Sequence, residues 1–446
     1  PTPSLTRSDV PAPREARGRF ATAAGRGGAR PRPAPVRPGR RRALGLALVV
    51  LLVALTLRPP VAGAEDGTST AVEREKDLAV GRRRAIERGC AWIARKQNQD
   101  GSFGDNKALV AFTALSTLAL MSEGSGVGRG TYGEPVRRGI TWLVKLLEAW
   151  TPKDRNPRGY FHAPQDLNSK MHGQGYATLA LASALGSADQ ELGARIRFQL
   201  AWAVHCAADS QTALGGWGYE PSQTAEHEGS VTVTVAQGLR AARDAGVKVP
   251  VEVINQGLRY LRKSQKLYDR GSQDASEDGS FKYSWNQDQS TYALTAAAVS
   301  CFYLFGEYPG ARASDAGDRV TAKDRIDRGI HFMRRRLRYV VATFEPFYYY
   351  GHFYAAWAAW QKDGSESVPQ RGQSWGSDVN SRDIESTDQF WGPWHAKMYP
   401  DLLGRQRQDG SWNDAKDRFA FGDLLPTTFA VLTLAIPDEM IPVFQR

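Results

Sequence analysis

The chain has 446 residues, is 41% hydrophobic and 24% charged, and so carries ample apolar material for a sizeable core. Its formal charge of +11 looks like a nucleic-acid signature, but residues 1–64 hold twelve Arg against only Asp9 and Glu15, leaving +1 for the remaining 382 residues. A basic balance confined to one end excludes a basic binding face on the folded part, and no nucleic-acid partner is expected.

Residues 1–42 are rich in Pro, Gly, Ala and Arg and predict a disordered basic stretch. Arg40-Arg41-Arg42 then precede an apolar run from Ala43 to Leu57, followed by Ala62-Gly63-Ala64. Basic flank, short apolar run and small-residue site together read as a secretory signal. The expected domains are therefore a leader over 1–64 and one folded domain over 65–446, exported to the periplasm or beyond. A membrane contact is expected only if the leader stays uncleaved as an anchor.

Six copies of one pattern follow. The first has Gly89-Cys90-Ala91-Trp92, Gln97, Asp100-Gly101-Ser102-Phe103 and the apolar helix Ala108–Met121. The second begins at Gly139, turns at Gly159-Tyr160 and continues over Gly175–Leu185. The third has Trp202, Gly215-Gly216-Trp217-Gly218 and a helix over Ser230–Arg243. The fourth has Gly257, Gln265, Asp278-Gly279-Ser280-Phe281 and Thr291–Phe305. The fifth has Gly329 and His352–Trp360. The sixth has Gln406, Asp409-Gly410-Ser411-Trp412 and Thr427–Ala435. A polar insertion at about 361–392 separates the last two and suggests a lid over one mouth.

Each copy predicts helix, glycine turn, helix. Asp bonds the next amides, Gly supplies positive φ, and the aromatic residue covers the turn. The second helices are apolar all round and should be buried, while the first carry charges such as Glu87, Arg259 and Lys263 on a wet face. The fold class expected is all-α: an α/α toroid of about six antiparallel helix pairs in two layers. Cys90, Cys206 and Cys301 are odd in number and far apart, and read as buried free thiols.

The motifs around Gln97, Asp100-Gly101-Ser102-Phe103, Asp278-Gly279-Ser280-Phe281 and Gln406 with Asp409-Gly410-Ser411-Trp412 resemble the glutamine–tryptophan repeats of the prenyltransferase and squalene-oxidase repeat family. The resemblance covers about residues 80–440 and implies a squalene-cyclase-like single toroid. That superfamily includes terpene cyclases, zinc prenyltransferases and thioester domains. The cyclase Asp-x-Asp-Asp acid cluster and the thioester Cys-Gly-Glu-Gln do not occur in this chain. The prenyltransferase Asp-x-Cys pair is also missing, because Arg88, Val204 and Val299 stand two residues before the cysteines. Neither a metal nor another cofactor is expected.

Symmetry still locates a site, since the starts of the inner helices should meet around one mouth. Those positions hold Asp105 and Lys107, His172, His227 and Glu228, Asp288, Tyr350 and His352, and Asp423. The catalytic candidates are His227, Glu228, Asp288 and His352, as convergent acids and bases. The ligand-binding candidates are His172, Tyr176, Tyr292, Tyr350, Tyr354, Trp357 and Asp423, mostly aromatic. Asp105, Asp288 and Asp423 also suit helix capping, and the aromatics also suit a plain core. Three functions remain open: a toroid holding an apolar or isoprenoid-like ligand, a glycan lyase or hydrolase pairing Glu228 with Asp288, and an interaction scaffold without catalysis.

Overall fold

The computed structural model describes residues 67–267, 278–306, 320–342, 347–364, 389–414 and 421–445. The leader and residues 365–388 of the expected insertion lie outside these residues. The folded part is all-α. Its outer helices are α1 (Gly67–Ala94), α3 (Gly133–Glu148), α5 (Gln190–Asp209), α7 (Val251–Ser264), α9 (Ala322–Ala342) and α11 (Trp391–Arg405). Its inner helices are α2 (Leu109–Ser122), α4 (Lys170–Ala184), α6 (Gly229–Asp244), α8 (Tyr292–Leu304), α10 (Tyr348–Asp363) and α12 (Leu424–Ala435).

The inner helices pack side by side in the order α2, α4, α6, α8, α10, α12, and α12 returns to α2, closing the ring. Each outer helix lies outside this ring and packs mainly on the inner helix of the preceding pair, α1 on α12, α3 on α2, α5 on α4, α7 on α6, α9 on α8 and α11 on α10, so the expected two-layered toroid is what the chain forms. Every residue of α2 and α8 is buried, whereas α3 and α7 bury one stripe and expose the other face. Three inner helices begin earlier than the sequence pattern indicated: α4 at Lys170, α10 at Tyr348 and α12 at Leu424. Among the described residues, the strands form two short hairpins, β1–β2 (Trp217–Gly218, His227–Glu228) and β3–β4 (Lys282–Ser284, Gln287–Ser290). Cys90, Cys206 and Cys301 are buried and free.

The repeated motif is a clamp between neighbouring pairs. Gln97 Nε2 donates to Gly101 O in its own turn and to Pro135 O at the start of α3, both at 2.9 Å. Asp100 accepts from the Ser102 amide and hydroxyl with one oxygen and from Trp142 Nε1 of α3 with the other. The sixth copy repeats this against the first. Gln406 Nε2 reaches Gly410 O and Ala85 O, while Asp409 accepts from Ser411 and from Trp92 Nε1 of α1 at 3.0 Å. Gln211 and Gln265 hold the third and fourth joints in the same way. The recurrent Thr of the inner helices has a matching task. Thr113, Thr232, Thr295 and Thr427 each accept the amide of the aromatic residue that covers their turn. These bonds pair the glutamine N–H groups and the turn amides of the joints, where leaving a buried donor open would cost about 1–3 kcal/mol, whereas Gln265 Oε1 and Ser280 Oγ in the fourth joint have no partner among the described residues.

Candidate functional site

On an α-helix, residues four apart share a face. His172 and Tyr176 of α4 therefore point the same way, as do Tyr350 and Tyr354 of α10, and both faces look into the ring. Helices α4 and α10 are opposite one another, yet Tyr176 Oη lies 3.4 Å from Tyr354 Oη. Tyr354 Oη also donates to Gln237 Oε1 of α6 at 2.8 Å. The lumen at this level is therefore filled by side chains. Phe429 of α12 packs on Tyr176, Tyr350 and Phe353, extending the aromatic lining around the ring. Trp357 sits one turn further along α10, 1% exposed, and its indole N–H has no hydrogen-bond partner among the described residues. Of the lumen aromatics, sequence reading identified Tyr176, Tyr350, Tyr354 and Trp357 but missed Phe429 and the amide of Gln237.

Above this aromatic layer, the start of α6 carries a polar cluster. Glu228 is 2% exposed and caps α6, accepting the Val231 amide at 2.8 Å. Ser230 Oγ lies 2.8 and 2.7 Å from the two Glu228 oxygens and 3.3 Å from His172 Nε2. Thr234 Oγ1 stands 3.3 Å from His172 Nδ1. The hydroxyl thus links an imidazole to a buried carboxylate. Burial lowers the His172 pKa, and the Glu228 charge opposes that shift. Tyr219 and Tyr283 share a 2.8 Å hydroxyl contact on the rim, and burial together with the Glu228 charge pushes both phenols up. The same carboxylate helps to raise Tyr350, after burial and Tyr176, so the polar cluster and the aromatic layer adjoin. Lys170, which opens α4, has φ +45°, a strained value for a residue with a side chain, and pairs with Glu220 at 2.9 Å. Ser230, Tyr219, Tyr283 and Lys170 carried no pattern in the sequence. They come from the second, third and fourth repeats and meet only through the ring.

Five candidates lie elsewhere. His227 precedes Glu228 in an extended strand, so its side chain takes the opposite side. Its Nδ1 is 3.1 Å from Tyr260 Oη of α7, and Tyr260 and Trp285 flank the ring. His352 was expected just before α10, but α10 begins at Tyr348. At about 100° per residue, His352 lies roughly 200° from Tyr350 and faces away from the lumen. It is fully buried against Tyr292, Tyr348 and Trp394 of α11, and neither ring nitrogen has a partner among the described residues. Burial drives its pKa down to about 3. Tyr292 accompanies His352 and is equally buried.

Asp288 sits on the exposed β3–β4 hairpin, paired with Lys282 at 2.9 Å, and Thr291 rather than Asp288 caps α8. The structure therefore sets no second carboxylate beside Glu228 from this position. Asp423 precedes α12 without capping it and binds Arg407 at 2.7 Å. With Asp105, Trp92, Lys96 and Phe112 it borders a cleft of about 370 Å³ at the joint between the first and last pairs. Among the described residues, no group of three His, Cys, Asp or Glu is arranged to hold a metal ion.

No family model matches the chain, and no curated protein does either. Among solved structures, the type II terpene cyclase MstE from Scytonema with geranylgeranyl dihydroxybenzoate aligns at 16% identity. It covers 82% of this chain and 99% of that one, with a TM-score of 0.46. The ligand-free form of the same cyclase aligns at 16% identity over 81% and 99%, with a TM-score of 0.44. A protein from Actinoplanes aligns at 15% identity over 79% and 98%, with a TM-score of 0.27.

Proposed function

We propose that the toroid binds an apolar, isoprenoid-like molecule along its lumen, with the polar end of that molecule at Glu228. The observation that carries this reading is a buried carboxylate, linked to His172 through Ser230, standing directly above a lumen lined by Tyr176, Tyr350, Tyr354 and Phe429. Aromatic walls suit a hydrocarbon chain, since each side chain brought out of water contributes about 1.5–3 kcal/mol. A carboxylate that already accepts from the Val231 amide and the Ser230 hydroxyl still has lone pairs for a hydroxyl or another donating head group. The Tyr176–Tyr354 contact closes the lumen, so these two rings would part to admit the chain. The leader supports a place of action outside the cytoplasm.

The test is titration of the full chain with a long-chain isoprenoid alcohol, followed by tryptophan emission and native mass spectrometry. Saturable one-to-one binding is expected. Tyr176→Leu, which removes an aromatic wall, and Glu228→Gln, which keeps a capping oxygen but removes the charge, should each weaken it about tenfold. Absence of saturable binding, or binding indifferent to both substitutions, would overturn the proposal.

A further inference from the structure

After α12 the chain continues through a 3-10 turn over Ile436–Asp438 and a second over Pro442–Phe444. The second turn contacts α6, and its Phe444 ring lies 5.4 Å from Trp357 and 5.8 Å from Phe353 of α10. Helices α6 and α10 are not neighbours in the ring, because α8 lies between them. A segment that meets both crosses the lumen between them, and its Phe444 ring lies against α10. Phe444 is 2% exposed there, although its neighbour Gln445 is exposed.

The fastening of this segment is uneven. Its first part is secured by the Arg82 fork on Asp438, at 2.7 and 2.9 Å, and by Trp360 Nε1 on Glu439 at 2.8 Å. Beyond Ile441, the side chain that ties it to the inner helices among the described residues is Gln361 of α10. Gln361 Nε2 donates to Phe444 O at 3.2 Å and to Gln445 O at 3.3 Å, both long. Beside this aromatic plug stands the Trp357 indole N–H, buried and without an acceptor among the described residues. A donor kept dry and unpaired costs about 1–3 kcal/mol and calls for an acceptor when the space beside it changes hands.

We propose that residues 441–445 form a displaceable stopper at the lower end of the lumen. Phe444 fills the seat that the far end of the ligand takes, and an acceptor such as a carbonyl or ether oxygen there would bond Trp357 Nε1. This rests on the lumen reading above and adds the route and the control of binding. The polar rim around Glu228, Lys170 and His172 is a poor door for a hydrocarbon chain, whereas the lower end is closed by one irregular segment that already presents an aromatic ring. With the stopper seated, apparent affinity is the intrinsic affinity reduced by the fraction of open molecules.

The experiment uses the fluorescent apolar probe N-phenyl-1-naphthylamine on the full chain, with hydrogen exchange read at residues 443–445. Gln361→Ala loosens the stopper without altering the seat and should tighten probe binding about fivefold. Phe444→Ala empties the seat and should tighten it at least as much. In the unaltered chain, saturating probe should speed exchange in this segment, because the segment leaves. If the probe binds but Gln361→Ala leaves affinity unchanged, or if the probe slows exchange, Phe444 is a fixed wall and the stopper proposal fails while the lumen reading stands. If none of the three proteins binds the probe, both proposals fall.

Discussion

Replacing Gly410 by alanine should destabilise the ring by about 3 kcal/mol. Gly410 adopts φ +95°, and a Cβ built there would lie 2.5 Å from the carbonyl oxygen of Arg88 and 2.9 Å from its carbonyl carbon. The left-handed backbone costs a residue with a side chain about 1–2 kcal/mol. The clash is with main-chain atoms of α1, which cannot swing aside, so the turn and the helix must separate. That strains the bonds joining the last pair to the first: Trp92 to Asp409, Gln406 to Ala85, and Arg88 to Arg407 O. Losing one or two of them adds about 1–2 kcal/mol.

Gly101, at φ +97° and 2.8 Å from Arg138 O, is the equivalent position in the first copy, and its alanine variant should lose a similar amount. Gly404 lies in α11 with nothing within 4 Å of the place a Cβ would take, so Gly404→Ala should be neutral or gain up to about 1 kcal/mol. Guanidinium denaturation followed by far-UV circular dichroism reads all three, given unchanged m-values. A Gly410→Ala protein within about 0.5 kcal/mol of the parent, the range of an ordinary surface change, would refute the clamp argument.

Two other outcomes follow from single residues. His352 has a folded pKa of about 3, held down by burial, against an unfolded value near 6.5, so the unfolded chain binds the extra proton first as pH falls. Its contribution is intact above about pH 6.5 and is lost progressively toward pH 3, amounting to about 2 kcal/mol between pH 7 and pH 5. His352→Leu should flatten the stability–pH curve over that window by this amount, and an unchanged slope would refute the assignment. Asp288→Asn weakens only the pairs of an exposed carboxylate with Lys282 and Lys266, so it should leave the denaturation midpoint and isoprenoid-alcohol binding unaltered; a tenfold loss of binding would return Asp288 to the site.

The double-layered ring was legible because it rests on local and periodic signals. The Asp-Gly-Ser-aromatic turn is read within four residues, and helices apolar on every side can only be interior ones. Repetition in register then leaves a closed ring as the arrangement that buries them all, and Gln97 and Gln406 do at the joints what their recurrence suggested. Side-chain direction at the mouth was not legible. Whether His352 faces the lumen depends on where α10 begins, and a start at Tyr348 turns it outward. Whether His227 or Glu228 points inward depends on a strand phase that two residues cannot reveal. The His172–Ser230–Glu228 link, the Tyr176–Tyr354 contact and the seating of Phe444 join residues from different repeats. A one-residue change in phase would dissolve each of them while leaving the hydrophobic pattern intact, so composition and periodicity specify the ring and only tertiary packing specifies what fills it.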